Sequence, residues 1–173
     1  MNNEELHKKL VALQNGDKIV IEEIYKHLKK PMYTIILRIT QDEALSEDIL
    51  QEVFIKLYQS PPKSPIRNPR AYVFQIVRNL AIDSVKKQPK YADLESIEDL
   101  VYLPVDDLST KVDINEAMKT LSLQECQIVS FHVNGELKFR EIADMMNIPL
   151  GTVFWKYQKA IKQLCAILSG GAL

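Results

Sequence analysis

Three groups of side chains in this sequence have the types and spacing for recognition chemistry. Asp48, Gln51, Glu52 and Ile55 follow one another at helical offsets, so they share one helix face. Two carboxylates and an amide there form a compact acidic patch, either a solvated face or a docking point for an arginine-rich partner. Between Lys63 and Lys87 stand six basic residues and one acid, Asp83. Arg67, Arg70, Arg78, Lys86 and Lys87 interleave with Tyr72 and Phe74. Cations that neutralise phosphates beside aromatics that stack on bases suit unpaired nucleic acid, while aromatics alone would suit a core. The third group lies in PLGTVFWKYQKAIKQL, which has three lysines and no acid. Phe154 and Trp155 are adjacent there and point about 100° apart on a helix, so one apolar stripe cannot bury both.

Bond-making chemistry is not encoded in any comparable way. His7, His27 and His132 are scattered, and no phosphate loop or nucleophile-base pair stands out. Cys126 and Cys165 lack metal-ligand spacing and fall at apolar helix positions, where core thiols are expected. The chain is therefore read as a binding protein and not an enzyme. No cofactor, metal or small-molecule substrate is expected.

The elements that position these groups are helices. Leu6, Leu10 and Leu13 repeat at helical spacing before Gly16-Asp17 ends the segment. Ile19 to Leu28 continues helically, and Pro31 then permits a break or kink before the apolar run Tyr33 to Ile39. Ser46 is the expected N-cap of the next helix, with Glu47 and Asp48 in its first turn. Ile49, Leu50, Val53, Phe54 and Leu57 give that helix its buried stripe. SPPKSPIRNP, from Ser60 to Pro69, forbids a regular element. A helix through Tyr72, Val73, Ile76, Val77, Leu80 and Val85 follows. Later, Ile114 to Leu121 and Leu123 to Val133 are helical, and Asn134-Gly135 forms a turn. FREIADMMN is a short helix that ends on a left-handed Asn147, and Pro149 opens the last helix. Val153, Tyr157, Ala160, Ile161, Leu164 and Leu168 are its expected core face; Trp155, Lys159 and Lys162 point the other way. A short helix, a tight turn and a second helix make a helix-turn-helix.

The fold class is all-α, with two small helical domains joined by an acidic linker. The domains are expected over residues 1–88 and 114–173, with the linker over 89–113. The net charge of −1 hides +3, +1 and −5 in those segments respectively. No apolar run approaches the ~20 residues that cross a bilayer. The polar start MNNEELHKKL lacks the apolar centre of a signal peptide, so a cytoplasmic protein is expected.

These segments, in this order, resemble the sigma-70 family of bacterial RNA polymerase sigma factors, in the compact extracytoplasmic-function form that keeps only regions 2 and 4. SEDILQEVFIKLY is similar to the polymerase-binding core of region 2, and NPRAYVFQIVRNLAIDSVKK to its promoter-melting part. The stretch from Leu121 to Leu164 is similar to region 4. The resemblance implies an alternative sigma factor that binds core RNA polymerase and directs promoter-specific initiation. Asp48, Gln51, Glu52, Phe54 and Lys56 would then meet the polymerase. Arg67, Arg70, Tyr72, Arg78, Asn79, Asp83, Lys86 and Lys87 would meet the single-stranded −10 element, and the proline loop would hold a flipped base. Arg140, Thr152, Trp155, Lys156 and Lys159 would meet the duplex −35 element. An anti-sigma factor is an implied further partner.

This chain departs from the family pattern at several positions. Phe154-Trp155 replaces a polar or basic pair, Lys156 an arginine, and Lys138 a serine N-cap. A sigma-like regulator acting through protein contacts, or a simple helix-turn-helix DNA-binding regulator, would share much of the pattern. Trp155 would meet the DNA groove, fill a partner's pocket or lie along the surface.

Overall fold

The computed structural model describes residues 1–63, 66–91, 97–102 and 113–170. The remainder of the expected proline loop and linker lies outside the described residues. The chain divides into two compact units, Met1–Ser84 and Val85–Leu173. Secondary structure among the described residues is helical, apart from one isolated β-bridge between Val101 and Ser122.

Unit 1 contains α1 (Asn3–Gln14), α2 (Val20–Thr40) and α3 (Glu43–Gln59), and most of α4 (Pro69–Lys86). Asn2 opens α1 through a capping box with Glu5, and Leu6, Leu10 and Leu13 are buried as their spacing requires. α2 runs through Pro31 as one helix, so the break that Pro31 permits does not occur. An interior proline removes one backbone hydrogen bond and costs about 3 kcal/mol. Burying Ile24, Leu28, Met32, Ile35, Ile36 and Ile39 against neighbours, at roughly 1.5–3 kcal/mol each, outweighs that loss.

α3 begins earlier than expected. Asp42, not Ser46, is the N-cap, and its side chain accepts from Leu45 N at 2.9 Å. The chain reaches Asp42 through Gln41, a non-glycine residue in the left-handed region at φ 55°. Ser46 is fully buried inside the helix. Its Oγ donates to the Asp42 carbonyl at 2.5 Å and pairs with Thr40 Oγ1 at 2.8 Å. TQDEALS offers two capping residues four apart, and the one facing solvent caps. Asn68 starts α4, where its side chain accepts from Ala71 N at 3.0 Å and Pro69 takes the first helical position.

Unit 2 contains α5 (Ile114–Lys119), α6 (Leu123–Val133), α7 (Phe139–Met146) and α8 (Leu150–Leu168). Ala117, Met118, Leu121, Cys126, Val129, Ala160 and Leu164 form its core, with Tyr157, Ile161 and Ile167 packed around them. Leu168, expected in that core, is exposed in the last turn of α8. Cys165 is exposed as well, so only Cys126 is a core thiol. Cys165 sits about 120° around the helix from Val153, outside the buried stripe of α8.

Part of the expected linker is folded into this unit. Leu123 N donates to Leu100 O at 2.8 Å, and Gln124 N to Glu98 O at 3.0 Å. Gln124 Nε2 also donates to Glu98 Oε2 at 3.1 Å, and Ile97 is buried. The first N–H groups of any helix lack partners within it. Here residues 98–100 supply carbonyls to two of those on α6.

The α6–α7 turn depends on Gly135. A Cβ there would sit 2.5 Å from the Phe131 carbonyl oxygen, a backbone atom that cannot swing aside. Gly135→Ala is expected to cost about 2 kcal/mol, lowering the melting temperature by several degrees in a calorimetric scan. An unchanged melt would show that the turn relaxes freely.

Candidate docking and nucleic-acid surfaces

The acidic patch stands on the middle of α3, where the buried stripe Ile49, Val53 and Leu57 fixes which side faces out. Asp48, Gln51 and Glu52 are exposed on that outer side, with Lys56 beside them. Among the described residues no hydrogen bond or ion pair engages the side chain of any of these four. Ile55 is 51% exposed between them and Tyr58 is 43% exposed at the C-terminal end. The result is an apolar centre flanked by free carboxylates. Phe54, the fifth expected contact, is nearly buried; its ring tilts against Tyr25 of α2 with centroids 4.8 Å apart. It braces α2 against α3 more than it presents a surface. Tyr58 was not singled out from the sequence, although its offset of three from Ile55 places it on the same side.

α4 carries the second surface. Val73, Phe74, Val77, Ala81, Ile82 and Val85 are buried, so Phe74 is a core aromatic and not a base platform. The opposite stripe runs through half-buried Tyr72 and Gln75 to exposed Asn79, Asp83 and Lys86. Gln75 Nε2 donates to Asn79 Oδ1 at 2.9 Å, which orients the Asn79 amide. Gln75 was missed by sequence reasoning, though its offset of three from Tyr72 signals it. Arg67 and Lys87 are exposed and Arg78 is half-buried. Arg70 is placed differently. It is buried, its Nη1 donates to the Met1 carbonyl at 3.0 Å, and its backbone N donates to Asn3 Oδ1 at 3.2 Å. It ties the chain start to α4 and leaves little guanidinium for a nucleic acid.

α7, the turn at Asn147 and α8 form the expected helix-turn-helix. Asn147 is left-handed at φ 54°, ψ 46°. Pro149 lies one residue before α8, and its carbonyl accepts from Thr152 N and Val153 N. Lys138, at the N-cap of α7, supplies no side-chain acceptor. Its backbone N donates to Glu141 Oε2 at 2.8 Å, so half of the usual reciprocal pair survives. The outer face of α8 carries Thr152, Trp155, Lys159 and Lys162, with Lys156 and Phe154 at its sides. Phe154 is half covered, its ring edge-on to Phe139 at 5.9 Å. Trp155 is 60% exposed. Arg140 is exposed on α7.

Lys159 is the unexpected residue of this face. Its Nζ donates to Glu125 Oε1 at 2.7 Å and lies 5.7 Å from the Trp155 ring centroid. Glu125 is itself buried on α6, and its other oxygen accepts from Ser122 N at 3.0 Å and Ser122 Oγ at 2.9 Å. Burial pushes the Glu125 carboxyl upward, but the bonds from Lys159 and Ser122 outweigh it and hold the group below its ordinary value. Lys159 is thus largely neutralised from within.

The chain is similar to known proteins over most of its length. A family profile described as Sigma-70 region 2 matches residues 24–91, which include all of α3 and α4. The ECF RNA polymerase sigma factor SigW of Bacillus subtilis is 27% identical over 165 residues, covering 86% of this chain and 88% of the relative. SigM of the same organism is 26% identical over 136 residues, covering 75% of this chain and 83% of the relative. The chain thus carries region 2 of the sigma-70 family, and its similarity to ECF sigma factors extends over most of its length. Members of this family are transcription regulators and not enzymes. Two solved structures share this chain's fold. CnrH in complex with the cytosolic domain of CnrY superposes with a TM-score of 0.70 at 15% identity, over 96% of this chain and 98% of that one. The sigma factor RpoE in complex with the anti-sigma factor NepR from Bartonella quintana gives 0.65 at 16% identity, over 87% and 99%. No helix among the described residues is long and apolar enough to cross a membrane.

Proposed function

We propose that this protein is an alternative sigma factor that binds core RNA polymerase through α3, stabilises melted −10 DNA on α4 and places α8 on duplex −35 DNA. The observation that carries the reading is the free acidic patch of α3 around an exposed Ile55. Unpaired carboxylates beside an apolar centre have no role inside the fold, and they complement a basic, partly apolar partner. Asp48, Gln51, Glu52 and Lys56 make that contact, with Ile55 and Tyr58 at its centre and edge. On α4 the stripe Tyr72, Gln75, Asn79, Asp83 and Lys86 offers stacking, amide and charged groups to unpaired bases, with Arg67 and Lys87 exposed to phosphates and Arg78 half-buried beside them. On α8 and α7, Thr152, Lys156 and Arg140 serve as phosphate and groove contacts. The protein acts in the cytoplasm, where polymerase and DNA are. Both solved relatives carry a bound partner protein, and an anti-sigma factor is proposed as a partner here too.

Holoenzyme reconstituted on a promoter tests the division of labour. Tyr72→Ala with Asn79→Ala should leave duplex binding intact and lower permanganate reactivity of −10 thymines about tenfold or more, given stacking at ~1–3 kcal/mol per base. Equal reactivity in the variant would remove α4 from the melted strand.

A further inference from the structure

The outer face of α8 has an apolar centre and a cationic rim, the reverse of a simple phosphate-binding helix. Trp155 occupies the centre and is 60% exposed. One turn earlier, Gly151 has nothing within 4 Å of where a Cβ would stand, so the helix surface beside the indole is open. Lys159, one turn later, is drawn back to Glu125 at 2.7 Å and holds its ammonium 5.7 Å from the indole centroid. Glu125 is fixed in turn by Ser122. The indole is therefore braced by a chain of contacts, Ser122 to Glu125 to Lys159 to Trp155, that reaches back to the buried start of α6. Lys156 and Lys162 flank it, and among the described residues neither has an ion-pair partner.

We propose that Trp155 is a specificity-determining residue for −35 DNA, reading thymine through apolar contact with its C5-methyl group, and that Lys159 is a positioning residue that orients the indole. The inference rests on the proposal that α8 docks on duplex DNA. Its physical basis is the placement of the only tryptophan in the chain in the N-terminal half of the second helix of a helix-turn-helix, the part that faces base edges in a major groove. In that groove the thymine methyl is the apolar feature. A flat, rigid indole gains from covering it, while a lysine already paired to a carboxylate gains little from a phosphate.

The test uses holoenzyme and a −35 duplex from a promoter it transcribes, with each thymine replaced in turn by deoxyuracil, which lacks only the methyl. Wild type should bind about fourfold more weakly at one or two replaced positions, the factor for one methyl group returned to water. Trp155→Ala should bind unmodified DNA at least about tenfold more weakly and be indifferent to the methyl. Lys159→Met should blunt the methyl preference without changing the salt dependence, and Lys159→Arg should restore the preference. Lys156→Ala and Lys162→Ala should each reduce the salt slope by about one unit. The inference is overturned if wild type ignores the methyl at every thymine, or if Trp155→Ala keeps the preference. It also falls if that variant binds DNA normally and core polymerase poorly, which would make Trp155 a protein anchor. If the lysine variants weaken binding but no methyl matters, this inference alone falls. If none of the α8 variants changes −35 affinity, α8 does not read DNA and both readings fall.

Discussion

Asp48→Lys combined with Glu52→Lys is expected to abolish association with core RNA polymerase while leaving the melting temperature within about a degree of wild type. Both residues are exposed on α3 and among the described residues neither side chain has a partner, so their loss removes no observed contact from the fold. The N-cap is Asp42, outside the exchanged pair. In a docked complex the effect is large, because the substitution removes two favourable charges and opposes two like ones. Like-charge juxtaposition across an interface costs several kcal/mol, and two such sites together correspond to a loss of about a thousandfold or more in affinity. Co-purification with tagged core enzyme reads this directly. A double variant that is retained on core at wild-type stoichiometry would show that α3 is only a solvated face. Ile55→Asp, placed at the apolar centre of the same patch, should give a comparable loss without altering net charge at Asp48 and Glu52.

The second large effect concerns Lys159 and Glu125. Lys159→Met should destabilise unit 2 at pH 7 by about 1–2 kcal/mol, less than for a fully buried pair because Lys159 is 53% exposed at its side chain. The cost comes from leaving a buried carboxylate with only Ser122 to stabilise its charge. The pH dependence has a definite sign. Folding lowers the Glu125 pKa from its ordinary 4.5, so the stabilisation is fully present above that value and fades as pH falls through the lower folded value. Wild type and Lys159→Met should therefore differ near neutrality and converge in acid, where Glu125 is protonated and needs no cation. Melting curves between pH 7 and the acid limit of stability check this. A constant gap at every pH would mean that the lysine stabilises by packing alone. The same coupling means that a lower overall affinity in a Lys159 variant is not evidence of a phosphate contact, which is why the methyl preference and the salt slope are the readouts there; Lys156 and Lys162 are the choices for phosphate contact.

Local periodicity revealed what depends on near neighbours in the chain. The stripes Leu6-Leu10-Leu13, Ile49-Val53-Leu57 and Val153-Ala160-Leu164 are buried as spacing required. Asn147 takes the left-handed conformation, and the acidic patch faces out because the buried stripe of α3 faces in. What spacing could not reveal were contacts made across long separations. Arg70 reaches Met1, and Lys159 reaches Glu125, only once the helices have packed. Either residue reads as an available cation in a basic stretch, and each is committed to a partner of its own chain. The docking of residues 98–100 on α6 has the same origin, since unsatisfied helix N–H groups do not announce which carbonyls will cover them. Pro31 fails as a breaker because propensity is a weak prior against a helix face as apolar as that of α2. Ser46 and Asp42 are both capable caps, and burial of one leaves the role to the other.

Run-off transcription from a genomic promoter library, with core polymerase alone and with core plus the full chain, tests the central claim most directly. The account predicts chain-dependent transcripts whose start sites share a −10 and a −35 sequence at fixed spacing, and their loss with Asp48→Lys/Glu52→Lys. Transcripts that do not depend on the chain, or chain-dependent transcripts without shared upstream elements, would contradict it.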